Sequence, residues 1–225
     1  MVGFVRPDVP PQVFRDAGGA VITYGERWAG ASPPDDSYSV VSNLERFAPL
    51  HVVAEALIRY LTATYDAEVS EDPAFAADLM HERHDVIRAV RVTPRERDAA
   101  RLTFVFTSFP SVIIHAGMLH DFLYPVCGCD ACDETWERLA DEMAWQVLAV
   151  VAGRYREYVR WGPTVGMSLQ AVDGSGGTSG ESLAADLPTK LPSKRLADAE
   201  ARLNELPGTW LPWTTTSPTV PPRSA

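Results

Sequence analysis

Nowhere does this 225-residue chain hold the roughly 18 consecutive apolar side chains of a membrane-spanning helix. The opening stretch, MVGFVRPDVPPQVFRD, likewise has no apolar run of signal-peptide length, so a cytoplasmic location is expected. Basic residues are scarce: 20 Lys and Arg face 30 Asp and Glu, for a net charge of −10. That balance lacks the positive footprint of nucleic-acid binding and disfavours anionic membrane surfaces. There is no GxxxxGK[ST] phosphate loop, no G-x-S-x-G elbow, and no Ser, His and Asp spacing that selects a triad. His81 and His84 stand three residues apart, whereas the zinc-protease helix needs four, so the HERH run reads as an exposed polar helix end. No repeat of 20 to 50 residues is visible.

What is present suffices for a folded core, since 46% of the residues are hydrophobic. Residues 1–42 are interrupted by Pro7, Pro10, Pro11, Gly18, Gly19, Pro33 and Pro34, yet carry Phe14, Tyr24, Trp28 and Tyr38. An irregular segment packed on the domain is expected there. A helix opens at Pro49 and runs to about Tyr65, with Leu50, Val53, Ala54, Leu57, Ile58 and Leu61 on one face. A short helix follows near Phe75 to His84, capped by Asp72.

The period then changes to two. Val86 to Val92, Leu102 to Thr107, Val112 to His115 and Met118 to Tyr124 are separated by links short enough for an antiparallel meander. Glu134 to about Arg160 reads as the longest helix, with Trp136, Leu139, Met143, Val147, Val150 and Tyr158 as its stripe. A short strand near Ser168 to Val172 can follow, and GSGGTSGES then reads as flexible linker. Ser193 can cap a last helix, stopped by Pro207-Gly208.

All three cysteines fall between Cys127 and Cys132. Cys129 and Cys132 have the two-residue spacer that lets both thiolates face one ion, and Gly128 eases the turn from Cys127. Zinc is the expected ion, and it wants four ligands. Candidates for the fourth are His120, His115, His81, His84, the carboxylates of Asp130, Asp133 and Glu134, or a ligand from another chain. His120 is the histidine chosen, although about 23 Å of extended chain separates it from Cys127, so the strand must fold back. A two-residue turn at Ala116-Gly117 would place His115 and His120 on one face. A redox pair and plain reduced thiols remain open as readings of the same residues. From Asp121 to Trp145, seven acidic residues face one basic residue, and this field is expected to slow thiol alkylation. Trp210 and Trp213 can anchor a partner or dock back on the domain, the latter being more economical.

The segments Tyr24-Gly25-Glu26-Arg27-Trp28, Glu45-Arg46-Phe47-Ala48-Pro49-Leu50-His51, CGCDACDE (Cys127 to Glu134) and Trp210 to Trp213 together resemble an uncharacterised actinobacterial family of unknown function. The resemblance covers most of residues 10 to 213. It implies one cytoplasmic bacterial protein and brings no activity and no catalytic residues.

The expected fold is α+β: a meander of about four strands with two long helices on one face, the other face wet or covered by the N-terminal segment. Residues 1–172 form the domain, 173–192 a flexible linker, 193–213 a C-terminal helix with its Trp segment, and 214–225 a disordered tail. The functional expectation is a non-enzymatic binding or regulatory module with a structural zinc site at Cys127, Cys129, Cys132 and His120. A protein partner fits this reading; nucleic acid and membrane do not. A thiol-based redox enzyme and a metal-free interaction module are the alternatives.

Overall fold

The computed structural model describes residues 3–160, 164–183 and 191–216. Among these, no helix is long and apolar enough to cross a membrane. The fold is α+β, but the strands form two antiparallel sheets, five and three strands wide, and three helices accompany them. The single four-stranded meander against two helices is therefore corrected.

The larger sheet has the order β1 (Ala67–Glu71), β2 (Val86–Pro94), β3 (Leu102–Thr107), β4 (Val112–Ala116) and β5 (His120–Tyr124), each strand paired with the next. The short links dictate this meander, and β1 adds an edge strand that its acidic, mostly exposed AEVSE sequence does not advertise. Along β3, Leu102, Phe104 and Phe106 point into the main core with the apolar stripes of α1 (Pro49–Thr64) and α2 (Trp136–Val151). The opposite face is not left wet. Ala89, Val105 and Ile113 pack against Leu79, and the 3-10 turn Pro73–Asp78, capped by Asp72 Oδ1 accepting from the Ala74 N–H at 2.8 Å, lies over them. Both faces of β3 and β4 are thus covered, which is why those strands are buried throughout.

The second sheet comprises β6 (Tyr155–Arg160), β7 (Thr164–Gln170) and β8 (Gly177–Leu183). Residues Glu134 to Arg160 were expected to be one helix, but α2 ends at Val151 and Gly153, at φ +70°, turns the chain into β6. A side chain at Gly153 would also meet the Pro212 nitrogen at 2.7 Å. β8 lies inside the expected linker; its GTSGESL sequence is exposed at every position and is held by the ladder to β7. The rest of that linker includes 184–190, outside the described residues. The last helix, α3 (Ser193–Asn204), buries Ala199 beside Val165 and Met80.

Trp210 and Trp213 dock in cis: both join the main core, and their backbone N–H groups donate to Tyr155 O (3.1 Å) and Val151 O (2.9 Å). Of the expected tail, Thr214 O accepts from the Asp66 N–H at 2.8 Å and the Thr216 N–H donates to Thr64 O at 3.0 Å. Residues 217–225 lie outside the described residues. The N-terminal segment is irregular, with 3-10 turns at Asp35–Ser37 and Leu44–Phe47. It wraps the junction between β5 and α2, where the cysteines are.

Candidate metal centre at the cysteine loop

The loop between β5 and α2 presents all three sulfurs on one turn. Cys129 precedes the 3-10 turn Asp130–Cys132, and Asp133, left-handed at φ 49°, reverses the chain. Thr135 Oγ1 then caps α2 by accepting from the Arg138 N–H. Gly128 is there for space: a side chain would run into the Phe109 ring. Cys127 Sγ lies 3.3 Å from Cys129 Sγ, which lies 3.5 Å from Cys132 Sγ. All three sulfurs are within 4.8 Å of one another. Ligands of a tetrahedral zinc at about 2.3 Å stand about 3.8 Å apart. The cluster is therefore positioned to coordinate a metal ion with only small outward movements. Cys129 is buried, while Cys127 and Cys132 are at the surface.

Two arginines far away in sequence build the floor. Asp130 is 2% exposed and Arg46 likewise 2%. Asp130 pairs with Arg46 at 3.5 Å and with Arg27 at 3.2 Å, and its Oδ1 accepts from the Ser42 N–H at 3.0 Å. Arg46 also donates to Gly128 O at 3.0 Å and to Ser42 O, and its guanidinium stacks on Tyr24 and Phe47. Arg27 donates its backbone N–H to Asp133 Oδ2 at 2.8 Å, and the Trp28 indole donates to Asp130 O. A side chain at Gly25, φ +91°, would meet Thr135 Cγ2 at 2.8 Å. Three of the segments that carry the family resemblance thus converge on one site.

Backbone strain gathers there as well. Among the described residues, the non-glycine positions with positive φ are Ala29 (47°), Ser39 (60°), Asn43 (52°) and Asp133 (49°). All four are in the segments wrapping the cysteine loop, and such conformations cost about 1–3 kcal/mol each and concentrate at functional sites.

One of the acidic residues counted around the thiols, Asp130, is paired with Arg27 and Arg46. The thiols separate as a result of their mutual contacts. Burial opposes ionisation of Cys129, but hydrogen bonds from Cys127 and from the Cys132 and Ser39 backbone prevail and bring its pKa to about 7. Cys132 is pushed up to about 12 by its contacts with the Cys127 and Cys129 sulfurs, with burial adding to them. Burial raises the Glu134 carboxyl, whose Oε2 accepts from the Cys127 N–H at 3.3 Å.

Of the expected ligands, the structure brings the three cysteines together and leaves His120 apart. The hairpin turn is Gly117–Leu119, with Ala116 opposite His120 and His115 opposite Asp121, so the two histidines face opposite sides of the sheet. His120 stacks on Phe122 and lines a crevice with Val165 and Met167. His115 donates through Nδ1 to the Asp121 carboxylate at 2.7 Å, and His51 donates through Nε2 to Ser111 O at 3.0 Å.

Half-buried His120 instead makes a stability prediction. Burial, with the charge of His115 adding to it, lowers its pKa from 6.5 to about 4. Between those values the unfolded chain binds a proton that the native chain does not. Stability should be full above pH 6.5 and fall as the pH drops toward 4, by at most about 1.4 kcal/mol per unit. Asp121 extends the loss from 3.8 down to about 2: burial opposes its charge, yet contacts from His115, His81 and the Met80 N–H hold it ionised. Urea denaturation across this range should show the slope, and His120→Gln should flatten its upper half. An unchanged slope in the variant would refute the assignment.

No curated protein and no solved structure matches this chain. Residues 10–217, nearly its whole length, match a family of unknown function (DUF6226), and the chain belongs to that family.

Proposed function

We propose that this protein is a non-enzymatic, cytoplasmic binding or regulatory module in which a zinc ion held by Cys127, Cys129 and Cys132 stiffens the loop against which the N-terminal segment packs. The observation that carries this reading is the three sulfurs within 4.8 Å on a turn floored by Arg46 and Asp130. The residues fit the group: the donors are thiols, which would release their protons to solvent on binding zinc, and the arginines beneath offset the added negative charge. Bound zinc supplies a cross-link between sulfurs in place of a larger core.

The expected result is up to one equivalent of zinc in protein purified without a histidine tag, and its loss in Cys129→Ser. With free zinc at a hundred times its dissociation constant, the folded state should gain about 2.7 kcal/mol. Identical melting with and without zinc would defeat the proposal. A second reading, thiol redox chemistry, is favoured by the Cys129 pKa of about 7 beside two further sulfurs. It requires rapid alkylation of a single cysteine below pH 6 in metal-free protein, whereas the zinc reading expects slow alkylation that a chelator accelerates.

A further inference from the structure

We propose that the cysteine loop is a site of reversible modification by a hydroperoxide: oxidation joins Cys129 to one of its two neighbours in a disulfide, and the loop gives up zinc while the floor beneath it stays built. This rests on the zinc reading above and adds what regulates that site.

The spacing of the sulfurs suits both states. Cys127 Sγ stands 3.3 Å and Cys132 Sγ 3.5 Å from Cys129 Sγ. Ligands of one zinc stand about 3.8 Å apart and bonded sulfurs about 2.05 Å, so the folded loop lies between the two, and a closure of roughly 1.3–1.5 Å makes the bond. Cys129 touches both of the other sulfurs, so it belongs to the bond whichever neighbour reacts. Cys127 and Cys132 are at the surface, where a dissolved oxidant meets them, and Cys129 is buried. That division sets the roles. A surface sulfur takes the oxygen, and the buried one resolves it before a second oxidant arrives.

The floor does not depend on sulfur. Asp130 is held by Arg27, Arg46 and the Ser42 N–H, and Arg46 donates to Gly128 O. The N-terminal segment is attached by the Asp130 N–H donating to Val40 O at 2.7 Å and the Arg27 N–H donating to Asp133 Oδ2. None of these contacts has a sulfur as donor or acceptor, so they persist when the thiols are consumed. Zinc binding does not persist. Among the described residues, no histidine or carboxylate joins the three sulfurs. A disulfide takes two of them, and the single thiolate left over is too few ligands for zinc.

The chemistry balances as a two-electron exchange. A surface thiolate attacks one peroxide oxygen, an S–O bond forms, the O–O bond breaks, and the departing alkoxide takes a proton and leaves as an alcohol. The Cys129 sulfur then attacks the sulfenic sulfur, the S–S bond forms, the S–O bond breaks, and hydroxide leaves as water with the second proton. The two sulfurs lose two electrons and the hydroperoxide gains them. A dithiol reverses the change through a mixed disulfide.

The test uses the full chain loaded with zinc and treated with one equivalent of hydrogen peroxide. A zinc-binding dye should register one zinc released per disulfide formed, while the free thiols, counted after denaturation with a chelator, fall from three to one. Alkylation of the remaining thiol and peptide mass mapping should mark Cys127 or Cys132, with Cys129 in the disulfide. Dithiothreitol should restore all three thiols and full zinc uptake. Tryptophan fluorescence, which includes Trp28 with its indole donating to Asp130 O, should stay native throughout. Zinc retained with three intact thiols under a large excess of peroxide would overturn the modification and leave the zinc reading standing. Sulfinic acid that dithiothreitol does not reverse, or an alkyl label on Cys129, would overturn the resolving role of Cys129. Unfolding on oxidation would overturn the independence of the floor. A chain that forms the disulfide yet never takes up zinc would defeat the zinc reading, and the expulsion of zinc with it.

Discussion

Replacing Arg46 by methionine should destabilise the protein by about 3–5 kcal/mol, because it strips a buried carboxylate of one of its two cationic partners and leaves buried acceptors without their donor. Arg46 and Asp130 are each only 3% exposed at the side chain, so solvent cannot substitute for the lost cation. Arg27 remains at 3.2 Å from Asp130 Oδ2 and holds part of the charge. Methionine keeps much of the apolar stem against Tyr24 and Phe47, so the loss reports the polar contacts rather than a cavity. The Gly128 carbonyl, which accepts from Arg46 at 3.0 Å, also loses its donor. Since that carbonyl lies between Cys127 and Cys129, the substitution should weaken zinc affinity as well as folding. Asp130→Asn in the same background should recover part of the stability by removing a buried charge that Arg27 alone then holds. Urea midpoints of the single and double variants decide this; a single variant within about 0.5 kcal/mol of the parent would mean the pair is not buried in solution.

The charge pair also shows what the sequence could not disclose. Arg27 and Arg46 reach Asp130 from 103 and 84 positions upstream, and a charge count over neighbours in sequence assigns Asp130 to the wrong environment. Local features were readable. The stripe of α1 and its opening proline placed that helix, the alternation in Leu102–Thr107 placed β3, and the three clustered cysteines placed the candidate site. Elements lacking such a pattern were missed.

β6 was absorbed into the preceding helix because Tyr158 continues an apparently helical spacing from Val150. Gly153 was the available signal for a break. β8 has no apolar face to announce it, as its stability comes from backbone pairing with β7. A two-residue turn at Ala116-Gly117 would put His115 and His120 on one face, but the actual turn has three residues and sets them on opposite faces. The buried Glu157 left no trace at all: a glutamate in YREYVR reads as solvated until the hairpin of Gly117–Leu119 folds over it.

Around Glu157 the second large effect is expected, from Trp210. The indole is 5% exposed and its Nε1–H donates to Glu157 Oε2 at 2.9 Å. The same carboxylate accepts from the Met118 N–H at 3.1 Å and the Leu119 N–H at 2.7 Å, joining the hairpin turn, β6 and the C-terminal segment. Trp210→Ala should cost about 3–5 kcal/mol for the lost burial, and the missing donor adds about 1–3 more. Trp210→Phe should retain most of the burial and isolate the hydrogen bond.

Its cost depends on pH in a defined direction. Burial raises the Glu157 pKa, and the Trp210 bond is among the contacts that restrain that rise. A carboxyl so raised contributes its stability below the unfolded value and loses it as the pH climbs through the folded one. Without the indole donor the charged form is worse supported, so Trp210→Phe should lose more at about pH 8 than at about pH 4. Ending the chain after Thr216 preserves these contacts and should leave the transition in place, whereas ending it after Val172 removes both tryptophans and should abolish cooperative unfolding. Equal losses for Trp210→Phe at the two pH values would show that Glu157 is not ionised beneath the indole.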